Sequence, residues 1–136
     1  MTNKRKILII DDEAGFTRMV RLILEKTGAY EVREENDALQ SLPVARAFKP
    51  DLILLDVVMP GNDGGDVAAK IKADATLKDT PVVFLTAIVP KREAGTDGLV
   101  SGGMVFLAKP VSMKALVTCI ETNARTATGA PCKPVA

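Results

Sequence analysis

The sequence contains no histidine. That excludes Ser-His-Asp and Cys-His catalysis and any zinc site built on imidazole. Its two cysteines, Cys119 and Cys132, fit no metal-ligand spacing. Cys119 falls in a helical pattern, where it packs as a small apolar residue. A charge excess is also missing: 18 basic and 17 acidic side chains leave a net charge of +1. Nothing in that balance supports a nucleic-acid-binding surface. No apolar run approaches the ~20 residues that a membrane span needs. Lys4-Arg5-Lys6 before Ile7-Leu8-Ile9-Ile10 has the order of a signal peptide, but the run is too short and Asp11-Asp12-Glu13 follows at once. A cytoplasmic location is therefore the default expectation. There is no internal repeat and no low-complexity segment.

What remains is 136 residues, 47% of them apolar, which suits one globular domain with a sizeable core. The chain is organised around Lys49-Pro50-Asp51-Leu52-Ile53-Leu54-Leu55-Asp56-Val57-Val58-Met59-Pro60-Gly61. An apolar run bounded by Lys-Pro and Pro-Gly has the pattern of a strand buried on both faces and closed by a tight turn. Asp56 stands at its C-terminal end. Residues 6–10 form a similar run that ends in Asp11-Asp12. A helix is expected over 14–27, with Phe16, Met19, Val20, Ile23 and Leu24 at helical spacing and Gly28 as its C-terminal cap. Residues 30–35 are more polar and read as an edge strand.

Asn36-Asp37 opens a helical stretch that Pro43 either kinks or delays. A helix is expected over 64–73, a loop over 74–80 and a fourth strand over 81–87. In 88–103 four glycines weaken any helix, each by about 1 kcal/mol relative to alanine. Residues 104–108 read as a fifth strand before Lys109-Pro110. Ser112 suits the N-cap of a last helix carrying Leu116, Cys119, Ile120 and Ala124 inward. Residues 126–136 lack periodicity and are expected to be a flexible tail, leaving 1–125 as the domain.

Strands alternating with helices predict an α/β fold with a parallel sheet. The polar second strand and the apolar first and third suit a flavodoxin-like, doubly wound order 2-1-3-4-5, with helices on both faces. Ligands of such sheets sit beyond the carboxyl ends of the strands at the switch point, here between strands one and three. Asp11, Asp12 and Asp56 would meet there, with Thr86 ending the fourth strand and Lys109 the fifth. Three carboxylates in one crevice need counter-charge, and an all-oxygen site suits magnesium. A carboxylate beside such a cation can attack phosphorus to give an aspartyl phosphate. A lysine ammonium and a threonine hydroxyl would then help to stabilise the transferred oxygens.

From about residue 6 to residue 124 the chain resembles the receiver domain of two-component response regulators. The matching residues are Asp11-Asp12, Asp56 with Met59-Pro60 and Gly64, Thr86-Ala87, and Lys109-Pro110. The resemblance implies that Asp56 accepts a phosphoryl group from a sensor histidine kinase, a phosphotransfer protein or a small phosphodonor. It implies that Asp11 and Asp12 hold Mg2+ together with Asp56 and the backbone carbonyl of Val58, that Thr86 and Lys109 contact the phosphoryl, and that Phe106 is the switch aromatic. The expected function is a stand-alone, phosphorylation-driven switch, like a chemotaxis regulator, that acts on a downstream effector protein. It is not an enzyme in the ordinary sense, though it assists its own phosphorylation and dephosphorylation.

Plainer roles stand beside these. Asp11 could cap the first helix, Thr86 could be only a β-branched strand residue, Lys109 a solvated lysine and Phe106 part of the core. Glu13, Asp63 and Asp66 read as first-turn and loop acids, and Lys4-Arg5-Lys6 as a solvated start. Two other functions compete. An aspartate-nucleophile phosphohydrolase would want a second acid two residues after the nucleophile, where this chain has Val58. An unphosphorylated binding module would be expected to lose one of the key residues, and all are present. A flavin site is disfavoured, because Asp11-Asp12-Glu13 would repel a phosphate. Pro43, the glycines of 88–103, Val58 and Ile88 depart from the common receiver pattern without touching the acceptor, magnesium or phosphoryl residues.

Overall fold

The computed structural model describes residues 4–56, 58–59, 62–86, 99–101, 104–108 and 112–123. Strand β1 (Arg5–Ile10) is followed by α1 (Ala14–Lys26), β2 (Tyr30–Glu35), a 3-10 turn (Ala38–Gln40) and α2 (Ser41–Phe48). Then come β3 (Leu52–Asp56), two short strands β4 (Val58–Met59) and β5 (Asn62–Asp63), and α3 (Gly64–Ala73). The chain continues through β6 (Val82–Thr86), β7 (Leu99–Ser101), β8 (Met104–Ala108) and α4 (Met113–Asn123).

The main sheet has the order β2-β1-β3-β6-β8-β7. Its parallel strands, β2, β1, β3, β6 and β8, take the expected 2-1-3-4-5 arrangement. The sequence did not announce β7, which pairs antiparallel with β8 (Leu99 with Phe106, Ser101 with Met104). It occupies the last part of the glycine-bearing segment in which a weak helix was expected. Gly102-Gly103 separates it from β8, and paired glycines are a hairpin signal that competes with helix continuation.

The sheet carries a core on each face, which explains the unbroken apolar runs. Alternate side chains of a strand point to opposite faces, so a strand covered on both sides must be apolar throughout. Ile7, Ile9, Leu52 and Leu54 pack with Val20 and Leu24 of α1 and with Leu116, Cys119 and Ile120 of α4. Leu8, Ile10, Ile53 and Leu55 pack on the other side with Ala45 of α2 and Val67, Ala68 and Ile71 of α3.

The helix boundaries have local causes. Gly28 follows the end of α1 with φ +79°, and its N–H donates to the Glu25 carbonyl, a left-handed C-terminal closure that glycine adopts without steric cost. Pro43 delays α2: the chain makes a 3-10 turn capped by Asp37, whose Oδ1 accepts from the Leu39 N–H, and the α-helix starts only at Ser41. Pro43 then lies in the first turn, where a missing N–H costs nothing. Ser112 caps α4 as expected, its Oγ accepting from the Ala115 N–H at 3.1 Å. Met19, expected on the apolar face of α1, is 39% exposed and lies on the rim of its stripe. Arg5 and Lys6 are more than a solvated start. Arg5 forms an ion pair with Glu121 at 3.9 Å, and the Lys6 ammonium lies 5.5 Å from the centre of the Phe48 ring.

Candidate functional site

Strand register brings the acids together. Ile10 pairs with Leu55 across β1 and β3, so Asp11 and Asp56, the next residues, leave adjacent strands side by side. Asp11 is fully buried and Asp56 is 6% exposed, whereas Asp12 faces solvent. One carboxylate oxygen from each of Asp11, Asp12 and Asp56 lies within 4.8 Å of the other two. Of the expected site residues with described side chains, these three are gathered at one point.

The same register carries the site across the sheet. Asp56 pairs with Leu85 of β6, which puts the Thr86 backbone one step beyond at the same edge. Thr86 pairs with Ala108 of β8, so Lys109 is the residue that follows directly. Lys109 itself lies outside the described residues. Phe106 pairs with Phe84 on one side and with Leu99 on the other. Val58 begins a two-residue ladder with Asp63, two positions past Asp56.

Asp11 is held by more than its strand. Its N–H donates to the Glu35 carbonyl at 3.1 Å, and its Oδ1 accepts from the Glu13 N–H at 2.9 Å. Its carbonyl accepts from Asn36 Nδ2 at 2.9 Å. The Asx-type contact to Glu13 shapes the turn before α1, but Asp11 does not cap that helix: its N-cap is Glu13, and no side chain caps it. Asn36 was missed from the sequence, and so was Thr17, which is fully buried on the stripe that α1 shares with Val20 and Leu24. A hydroxyl on an otherwise apolar stripe was the available signal, since a buried polar group needs a partner.

The donor set can hold a hard cation. Three carboxylates converge, all donors are oxygen, and two of the groups are shielded from water. At such separations carboxylates repel one another strongly unless a cation stands between them. Few carboxylates plus a carbonyl and waters is the coordination magnesium prefers.

Comparison with known proteins agrees with this geometry. The sequence model of the response regulator receiver domain matches residues 7–121. The chain belongs to that family, a family of signalling domains. It is 36% identical over 121 residues to the phosphate regulon transcriptional regulatory protein PhoB of Pseudomonas aeruginosa, covering 89% of this chain and 52% of PhoB. It is 43% identical over 123 residues to the response regulator PleD of Caulobacter vibrioides, covering 88% of this chain and 26% of PleD. The chain thus spans about half the length of PhoB and about a quarter of PleD. Among solved structures, the chemotaxis protein CheY4 of Vibrio cholerae superposes with a TM-score of 0.73 at 28% identity, covering 87% of this chain and 97% of CheY4. Among the described residues no helix is long and apolar enough to cross a membrane.

Proposed function

We propose that this domain is the phosphoacceptor switch of a two-component phosphorelay, with Asp56 as the acceptor. The observation that carries the reading is the convergence of Asp11, Asp12 and Asp56 within 4.8 Å at the ends of adjacent parallel strands. Asp56 is the last residue of a fully buried strand, so its carboxylate is presented from a rigid element, as nucleophilic catalysis requires. An Asp56 oxygen attacks phosphorus in line. The bond between phosphorus and the donor's leaving group breaks, and the electron pair departs with that group, an imidazole of a histidine kinase or phosphotransfer protein, or a carboxylate of a small phosphodonor. Asp11, Asp12, Asp56 and the Val58 carbonyl would hold Mg2+, which supplies neutralising charge for the incoming phosphoryl oxygens.

Thr86 and Lys109 contact the transferred group, a hydroxyl and an ammonium suited to its equatorial oxygens. Thr86 and Phe106 carry the change outward. They belong to paired strands, and the ring moves inward when Thr86 is drawn to the phosphoryl. The partner that reads the change is a protein surface; a net charge of +1 lends no support to nucleic-acid binding. The domain assists its own phosphorylation and dephosphorylation but turns over no external substrate. The aliphatic Val58 leaves the acid/base position of a phosphohydrolase empty.

The test is incorporation of phosphate from acetyl phosphate with magnesium. Wild type is expected to take up one acid-labile phosphoryl group per chain and Asp56→Asn none, because an amide is a poor nucleophile. Undiminished labelling of Asp56→Asn would refute the assignment.

A further inference from the structure

A polar chain ties the acid cluster to the β2 side of the sheet, and none of the roles above uses it. The Asp11 carbonyl accepts from Asn36 Nδ2 at 2.9 Å, and the same nitrogen reaches Thr17 Oγ1 at 3.0 Å. A carbonyl can only accept, so the side-chain nitrogen of Asn36, not its oxygen, must face Asp11. Thr17 Oγ1 lies 2.8 Å from Glu34 Oε1 and 3.1 Å from the Ala14 carbonyl. Its single proton favours the carboxylate, the charged and nearer acceptor. The other Glu34 oxygen takes Arg21 Nε at 2.5 Å. The result is an ordered relay, from the Arg21–Glu34 pair through the buried Thr17 hydroxyl and the Asn36 amide to the peptide joining Asp11 to Asp12.

That peptide carries both acids of the pair, one on either side. Turning it moves the Asp11 and Asp12 carboxylates together, relative to Asp56 on the neighbouring strand. Glu13 N–H fixes the Asp11 side chain, and Asn36 holds the carbonyl. We infer that Asn36, oriented by Thr17, is a positioning residue that fixes the Asp11–Asp12 peptide and thereby sets the domain's affinity for magnesium. The inference rests on the site reading above and adds two residues to it that touch neither metal nor phosphoryl.

Magnesium titration by calorimetry on the full 136-residue chain tests this. Asn36 is exposed, so Asn36→Ala opens no core cavity, and Thr17→Val keeps the buried shape. Each is expected to weaken magnesium binding about 10-fold, the low end of the range for losing a partner behind a metal ligand. Thr17→Ser keeps the hydroxyl and should stay within about twofold of wild type. Val20→Ala, which loosens the same helix stripe without touching the relay, should leave affinity unchanged.

A purely structural lesion would lower the phosphorylation rate at every magnesium concentration. Asn36→Ala should instead move the half-saturating magnesium concentration upward and approach the wild-type rate at saturation. If Asn36→Ala does not fold, the Thr17→Val and Thr17→Ser pair decides. Wild-type affinity in both Asn36→Ala and Thr17→Val would overturn the inference alone, provided Asp11→Asn abolishes binding. Absence of magnesium binding in wild type would overturn the site reading and this inference with it.

Discussion

Asp56→Asn should make the metal-free protein more stable while abolishing its chemistry. Asp11 and Asp56 are buried, and one oxygen of each lies within 4.8 Å of the other. At that distance and an effective dielectric of about 20, two unit charges repel by about 3 kcal/mol. The asparagine side chain has the same shape, so packing is preserved. Water near the exposed Asp12 screens part of the repulsion, and the amide forfeits roughly 1 kcal/mol of hydrogen bonding. A net gain of about 1–2 kcal/mol remains, or a rise of roughly 3–8 °C in melting temperature for a domain of this size. The assay is thermal and urea unfolding followed by circular dichroism, in chelator and in excess magnesium. In magnesium at about 100 times the dissociation constant, wild type should recover about 2.7 kcal/mol by mass action and the variant much less, so the gap should close or reverse. A variant that melts at or below wild type in chelator, with neither protein responding to magnesium, would refute the picture of mutual repulsion within the acid cluster.

Other consequences are as specific. The Asp74 carboxylate is lowered to about 2, first by the Thr76 hydroxyl, then by the Thr76 N–H and Arg46. A depressed carboxylate contributes stability above its unfolded value, so that contribution should fade as pH falls from about 4 toward 2; an Asp74→Asn variant with the same acid-unfolding profile would argue against it. Ser112→Ala removes the cap of α4 and should cost about 1 kcal/mol in urea unfolding, with Ser112→Asp close to neutral. Val58 and Ile88 are aliphatic and stand two positions after Asp56 and Thr86 in the sequence, and an aliphatic side chain cannot orient a water. Val58→Asn or Ile88→Glu should therefore hasten loss of phosphate, by up to ~10²-fold, without altering magnesium binding. The readout is decay after donor removal, and equal decay in wild type and variants would dismiss water positioning there.

The sequence by itself determined the parallel strands and their order, and it put Asp11, Asp12 and Asp56 at the ends of two of them. Short apolar runs bounded by turn signals, such as Leu52–Leu55, suit strands covered on both faces, and acids at their ends then stand at the switch-point crevice. Periodicity and end signals were equally direct at Gly28 and Ser112, because capping is decided by residues a few positions apart. Pro43 announced a kinked or late α2, and the structure shows the late start.

Tertiary structure alone decided the rest. Leu99–Ser101 became an antiparallel strand because β8 offered an edge to pair with, and no local pattern records a vacant edge. Met19 matched helical spacing yet lies exposed, since periodicity gives the centre of a buried stripe better than its rims. Thr17 and Asn36 are 19 positions apart, and Asn36 reaches Asp11 only because β2 lies beside β1. A hydrogen-bond relay between side chains on different elements has no period and no motif. It exists only once the sheet has set the distances.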